Sequence, residues 1–126
     1  MPKLQNKGMR ENQIKGRLAE AEAVRFLVMN QFRVLEINWR HSRYEVDIIA
    51  ASKGILHFVE VKGRWGEGFG APELAVDQKK LKHMQKVARS YCAQHPYWNQ
   101  IQFDVIGVEY ADGKVEIRWV EDVYFF

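Results

Sequence analysis

Two short acidic runs, Glu45-Val46-Asp47 and Glu60-Val61-Lys62, hold the residue types best suited to chemistry in this chain. In an extended strand each run puts two ionisable groups on one face and a valine on the other. The residues between them, Ile48 to Val59, read as two β-runs broken at Ser52-Lys53-Gly54. A two-residue hairpin turn at Lys53-Gly54 sets Ser52 opposite Ile55. Carried further, that ladder sets Asp47 opposite Glu60 and Glu45 opposite Lys62. Directly opposed side chains have Cβ atoms about 4.5–5.5 Å apart, so three carboxylates and an ammonium converge on one patch. Crowded carboxylates either share protons or need a cation between them, and a divalent metal site is the reading that follows. Asp47 and Glu60 offer the oxygen ligands that Mg²⁺ or Mn²⁺ takes. Lys62 is placed to orient or help deprotonate an attacking water, or to stabilise charge developing on a phosphate. The plain alternative is an exposed face with cross-strand ion pairs, Glu45 to Lys62 above all. Against it stand the apolar flanks Ile48-Ile49-Ala50 and Phe58-Val59, which look like central strands buried on both sides.

Other candidates surround this pair. Glu20 falls within a helical apolar stripe with Gly16, Ala23, Val24 and Leu27. A carboxylate there either sits at the stripe's edge in water or points to a polar site beneath the helix, because burying an unpaired charge is costly. After Lys62 come four glycines in ten residues, from Gly63 to Pro72, which read as a loop. In that loop Arg64, Trp65 and Phe69 are suited to gripping phosphates and stacking on bases, or Trp65 simply covers the core. Lys80 lies nearer the inner face of its helix than Lys79, Lys82 and Lys86, which read as a solvated basic face that would suit a polyanion. Asp104 is either a further acid near the site or a structural strand residue. His41, His57, His83 and His95 are scattered without zinc-like spacing, so histidine metal chemistry is not expected. No phosphate-binding glycine motif, serine elbow or cysteine nucleophile pattern occurs.

The elements that must position these groups are legible in outline. Ile14, Leu18, Ala21, Val24, Leu27 and Val28 recur at helical spacing from about Asn12 to Asn30. Before them, residues 1–11 read as a loose basic arm. Phe32 to Trp39 reads as a strand, and Arg40-His41-Ser42-Arg43 as a basic turn into the Glu45 strand. A second helix is expected from about Pro72 to Gln94, ended by His95-Pro96. Ile101 to Tyr110 and Val115 to Val120 read as strands joined by Ala111-Asp112-Gly113-Lys114, a hairpin signal. The order αβββαββ predicts one α/β domain over residues 1–126, a mixed sheet of about five strands flanked by helices.

Composition narrows the function classes. The chain has 126 residues, 47% of them hydrophobic and 28% charged, which suits a soluble domain with a real core. No apolar run reaches membrane-spanning length, and the polar, basic start lacks a signal-peptide core. Cys92 alone allows no internal disulfide, so a reducing cytoplasm is the expected location. The net charge of +3 leans toward anionic partners.

Asp47 followed by Glu60-Val61-Lys62 on the adjoining strand resembles the PD-(D/E)XK nuclease motif, with Glu20 as the additional helical acid of Holliday junction resolvase-like members. The likeness extends through Gly16, Glu20, Ala23, Leu27, Asn38-Trp39-Arg40, Glu45 to Ile49, Phe58 to Arg64, Phe69-Gly70, Lys80 and Phe103-Asp104. Together these resemble the YraN family of endonuclease-like proteins. Tyr44, Gln102 and Asp77 depart from that family's usual glycine, arginine and threonine. The resemblance implies a restriction endonuclease-like core and Mg²⁺- or Mn²⁺-dependent cleavage of phosphodiester bonds in nucleic acid, DNA first. In that scheme Asp47, Glu60 and Glu20 are metal ligands, Lys62 joins them as a catalytic residue, and Glu45 stands behind as a partner for Lys62. Arg40, Arg43, Arg64, Trp65 and Lys80 would contact the nucleic acid. A nuclease core that binds without cutting, or one that acts on RNA, are the alternatives. Cutting two strands suggests a homodimer, with Tyr124-Phe125-Phe126 either an apolar contact or part of the protein's own core.

Overall fold

The computed structural model describes secondary structure for residues 2–66, 68 and 77–123, and side chains from residue 10 onward within those ranges. Helix α1 (Pro2–Met29) is followed by strands β1 (Arg33–His41), β2 (Tyr44–Ser52) and β3 (Ile55–Trp65). Helix α2 (Gln78–Gln94) then leads to β4 (Ile101–Ala111) and β5 (Lys114–Val120). The order is the expected αβββαββ. The five strands form one mixed sheet in sequential order. Only β3 and β4 run parallel, joined by the α2 crossover, and the other neighbours are antiparallel.

Turn chemistry explains two of the three tight hairpins. Lys53 and Gly54 have φ of 52° and 81°, and Asp112 and Gly113 have 52° and 70°. Two successive positive φ values match the right-handed twist of the flanking strands. Lys53-Gly54 therefore fixes the predicted register, from Ser52↔Ile55 through Ile48↔Val59.

Each sheet face buries one helix. Under α2, Val46, Ile49, Leu56 and Phe58 pack with Met84, Val87, Ala88 and Tyr91. On the other face Ala19, Ala23 and Leu27 of α1 pack on Ile48, Ala50, Val59, Ile106 and Val108. The central strands are thus buried on both sides, as their unbroken apolar runs predict.

Three local expectations need correction. Residues 2–11 continue α1 instead of forming a loose arm; Pro2 has the fixed φ that suits a first helical position. The buried stripe of α1 is Ala19, Ala23 and Leu27, spaced by four, whereas Ile14, Leu18 and Val28 are about half exposed. Gly63, Arg64 and Trp65 extend β3 and pair with Val108, Glu109 and Tyr110 of β4, because a parallel neighbour satisfies their backbone groups. The rest of the glycine-rich segment apart from Gly66 and Gly68, together with the expected start of α2 before Asp77 and the Tyr124-Phe125-Phe126 tail, lies outside the described residues. Among the described residues no helix is long and apolar enough to cross a membrane.

Candidate functional site

The backbone opens a gap where the two acidic runs meet. Pairing between β2 and β3 holds up to Ile48↔Val59 and is not continued at Asp47. There the Asp47 side chain takes over from the ladder, and its Oδ2 accepts a 2.8 Å hydrogen bond from the Val61 amide. The same carboxyl is close enough to Glu60 for the two to share a proton. Burial, followed by the side-chain hydrogen bond with Glu60 and the Glu60 charge, pushes the Asp47 pKa up to about 8, against the opposing pull of the Val61 amide and Lys80.

Glu60 follows Leu56 and Phe58 by strand alternation onto the α2 face and is only 4% exposed. Its Oε2 receives no directed hydrogen bond, although the Lys80 ammonium lies 3.0 Å away. These two findings agree if the contact is an ion pair with poor hydrogen-bond angles. Lys80 is brought there by the start of α2, where Asp77 caps the helix by accepting from the Lys80 amide at 2.8 Å. Lys62 comes next on the face of Glu60 and is partly exposed. No carboxylate among the described residues pairs with it.

Glu45 does not face Lys62 as a partner. It aligns across β1 with Arg40 and accepts from Arg40 Nε at 2.6 Å. The ladder that would have set it opposite Lys62 has already opened.

Glu20 reaches the site from α1, on the other side of the sheet. Ala19 beside it seats on Gly63, where an added Cβ would lie 2.8 Å from Ala19 Cβ. Half-buried, Glu20 accepts from Asn38 Nδ2 at 3.2 Å. Burial raises its pKa; the Asn38 hydrogen bond opposes this, and the charges of Asp47 and Glu45 add to the rise. The expected convergence is therefore partial. Asp47 and Glu60 touch, whereas Glu20 stays within electrostatic range and does not bring its oxygens within 4.8 Å of both.

Of the expected nucleic-acid contacts, Arg64 is nearly buried and lies 4.0 Å from Glu109. Trp65 stacks on Tyr110 at 4.5 Å with an 8° interplanar angle, with the Lys15 ammonium 5.1 Å from its ring. Both are held by β4 and α1. Arg43 lies over Tyr44.

The one set of three metal-ligating groups within 4.8 Å of each other among the described residues is His57, Asp104 and Glu121. Sequence reading missed His57, because its partner lies 47 residues away and no spacing motif links them. Asp104 is fully buried, with His57 Nδ1 at 2.7 Å from Oδ2. It also accepts from Trp119 Nε1, Gln102 Nε2 and the Asp122 amide. With both oxygens taken by donors, Asp104 reads as a pin that fastens the chain after β5 to the sheet.

A metal fits the Asp47–Glu60 pair better. It has a buried carboxylate oxygen without a hydrogen bond, met there by the Lys80 ammonium as an ion pair, a neighbour that ionises late, and only hard oxygen donors.

Comparison with known proteins identifies a family. Residues 19–108 match the model of a family described as uncharacterised protein family UPF0102. A UPF0102 protein of Geotalea daltonii is 37% identical over 123 residues, covering 96% of this chain and 97% of the relative. One of Petrotoga mobilis is 41% identical over 96 residues, covering 75% and 85%. Another from Clostridium botulinum is 35% identical over 112 residues, covering 86% and 92%.

Proposed function

The chain belongs to the UPF0102 family, the YraN family of the sequence resemblance, and from that premise we propose that it is a metal-dependent nuclease hydrolysing phosphodiester bonds in nucleic acid, with DNA as the first substrate. The observation that supports this is the paired Asp47 and Glu60 at the opening of the β2–β3 ladder. A polar pair placed between two apolar cores costs stability and so asks for a function.

Asp47 and Glu60 would hold Mg²⁺ or Mn²⁺, with Glu20 extending the ligand set from α1. A bound ion of this kind polarises phosphoryl oxygens and makes water a better nucleophile. The remaining work belongs to the chain. Lys62, free of carboxylate partners among the described residues, orients the attacking water and meets the charge that grows on the phosphate. The Val61 amide keeps the Asp47 carboxyl turned into the gap. Asn38 holds Glu20, and Arg40 holds Glu45 clear of Lys62.

A second reading is favoured by Lys80, whose ammonium stands 3.0 Å from Glu60 where a cation would neutralise it. On that reading the fold binds nucleic acid and does not cut. Incubating the protein with duplex, branched, flap and single-stranded DNA and with RNA, in Mg²⁺, Mn²⁺ or chelator, separates the two. Cleavage that needs metal supports the nuclease. Retention of nucleic acid without cleavage, and no Mn²⁺ uptake by calorimetry, would leave the binding module.

A further inference from the structure

We propose that the outer face of α2, together with the β1–β2 turn, is a track for one phosphodiester backbone of the nucleic acid, leading away from the carboxylate pair. The proposal rests on the nuclease reading and names how its substrate is held.

Charge is the first observation. Helix α2 carries Lys79, Lys80, Lys82, Lys86 and Arg89 and no aspartate or glutamate. Surface helices ordinarily offset cations with acids one turn away, and uncompensated like charges repel. Lys80 has Glu60. None of Lys79, Lys82, Lys86 and Arg89 pairs with a carboxylate among the described residues, so an external polyanion is the natural partner.

Geometry is the second. Lys79, Lys82, His83, Lys86, Arg89 and Ser90 recur at three- and four-residue spacing on one face of the helix. From Lys79 to Ser90 that face spans about 16 Å at 1.5 Å per residue. One strand of duplex DNA carries a phosphate for about every 3.4 Å of axis, so the face matches roughly five nucleotides. It starts beside Lys80 at Glu60 and ends at the β1–β2 turn.

At that far end the cations converge on Tyr44. Lys86 Nζ and Arg43 Nη2 donate to its hydroxyl at 3.3 and 3.2 Å, and both also lie over its ring. His83 leans on the same ring at 4.6 Å. His41, Tyr44, Lys86, Arg89 and Ser90 line a cavity of about 380 Å³, and Ser90 and His41 hold each other at 3.0 Å. Local electrostatics agree: after burial, the charges that lower the His83 pKa are Lys79, Lys80, Lys86 and Arg43. A phosphate entering this cavity meets cations, a hydroxyl and an imidazole.

The test is Lys86→Gln/Arg89→Gln against wild type, with Lys53→Gln/Lys114→Gln at the two hairpin tips as a charge-matched control. Fluorescence anisotropy of a labelled DNA duplex is read in chelator from 50 to 200 mM salt, with circular dichroism to confirm folding. Two lost phosphate contacts flatten the log–log salt slope by about 1.8, or roughly twelvefold across that range. The control keeps the wild-type slope. Equal slopes in wild type and Lys86→Gln/Arg89→Gln, or equal losses in the test and control variants, overturn the track, as does a wild type that binds no duplex at 50 mM. If the slope falls as stated but wild type never cleaves in Mg²⁺, the track stands and the nuclease reading fails.

Discussion

Gly63→Ala tests how α1 is seated beside the site. The φ of Gly63 lies outside the left-handed region, so its backbone can accept alanine. The obstacle is space: a Cβ would lie 2.8 Å from Ala19 Cβ and 2.9 Å from two atoms of the Trp65 ring. Carbon atoms rest about 3.5–4.0 Å apart, so α1 must lift by about 0.7 Å or more. Trp65 cannot swing aside without losing its stack on Tyr110. Overpacking of this kind costs about 1–3 kcal/mol, or about 4–12 °C in Tm for a chain of this size. Ala19→Gly in the same background removes the 2.8 Å contact and should return part of that loss. Glycine itself costs about 1 kcal/mol in a helix, so the coupling in a double-mutant cycle is the informative quantity. Circular dichroism melts of wild type, both single variants and the double variant provide it. A Gly63→Ala protein that melts with wild type, or a cycle with no coupling, would mean that α1 does not press on β3 at Gly63. The account of how Glu20 approaches Asp47 would fall with it.

Three further outcomes follow from the same geometry. In chelator, Asp47→Asn should be more stable than wild type at pH 8 and should lose that advantage by about pH 4. The folded Asp47 pKa is raised from 3.8 to about 8, so its favourable contribution is full below the unfolded value and is lost as pH rises through the folded one; equal differences at both pH values in paired thermal melts would refute this. Asp104→Asn leaves buried donors without their charged acceptor and should cost about 3 kcal/mol or more, read by urea unfolding, with a cost below 1 kcal/mol contradicting the pin. Lys62→Ala should cleave about 10²–10³ slower yet still take up Mn²⁺ by calorimetry, and a cleavage rate equal to wild type would remove Lys62 from the chemistry.

The fold was legible because its signals are local. Alternation marks β2 and β3, Lys53-Gly54 sets the turn, and a two-residue turn fixes the register for as long as the ladder lasts. What could not be read is where the ladder stops. Continuing it past Ile48 puts Glu45 opposite Lys62, yet the Asp47 carboxyl takes the Val61 amide there and Glu45 turns to Arg40. The ion pair between Glu60 and Lys80, the His57–Asp104 pin and the stack of Trp65 on Tyr110 join residues 20 to 47 positions apart; only packing brings them together. In α1 the periodicity showed a helix but mixed two stripes: Ala23 and Leu27, on the face read beside Glu20, are buried, whereas Ile14, Leu18 and Val28 are not. Two alanines, Ala19 and Ala23, let the helix lie close to the sheet ahead of Leu27, and bulk alone would have picked Ile14 and Leu18. That close seat has a consequence for the site. Glycine at 63 and alanine at 19 bring Glu20 near the end of β3, so the helical acid comes within electrostatic range of Asp47 through small residues that carry no chemistry themselves.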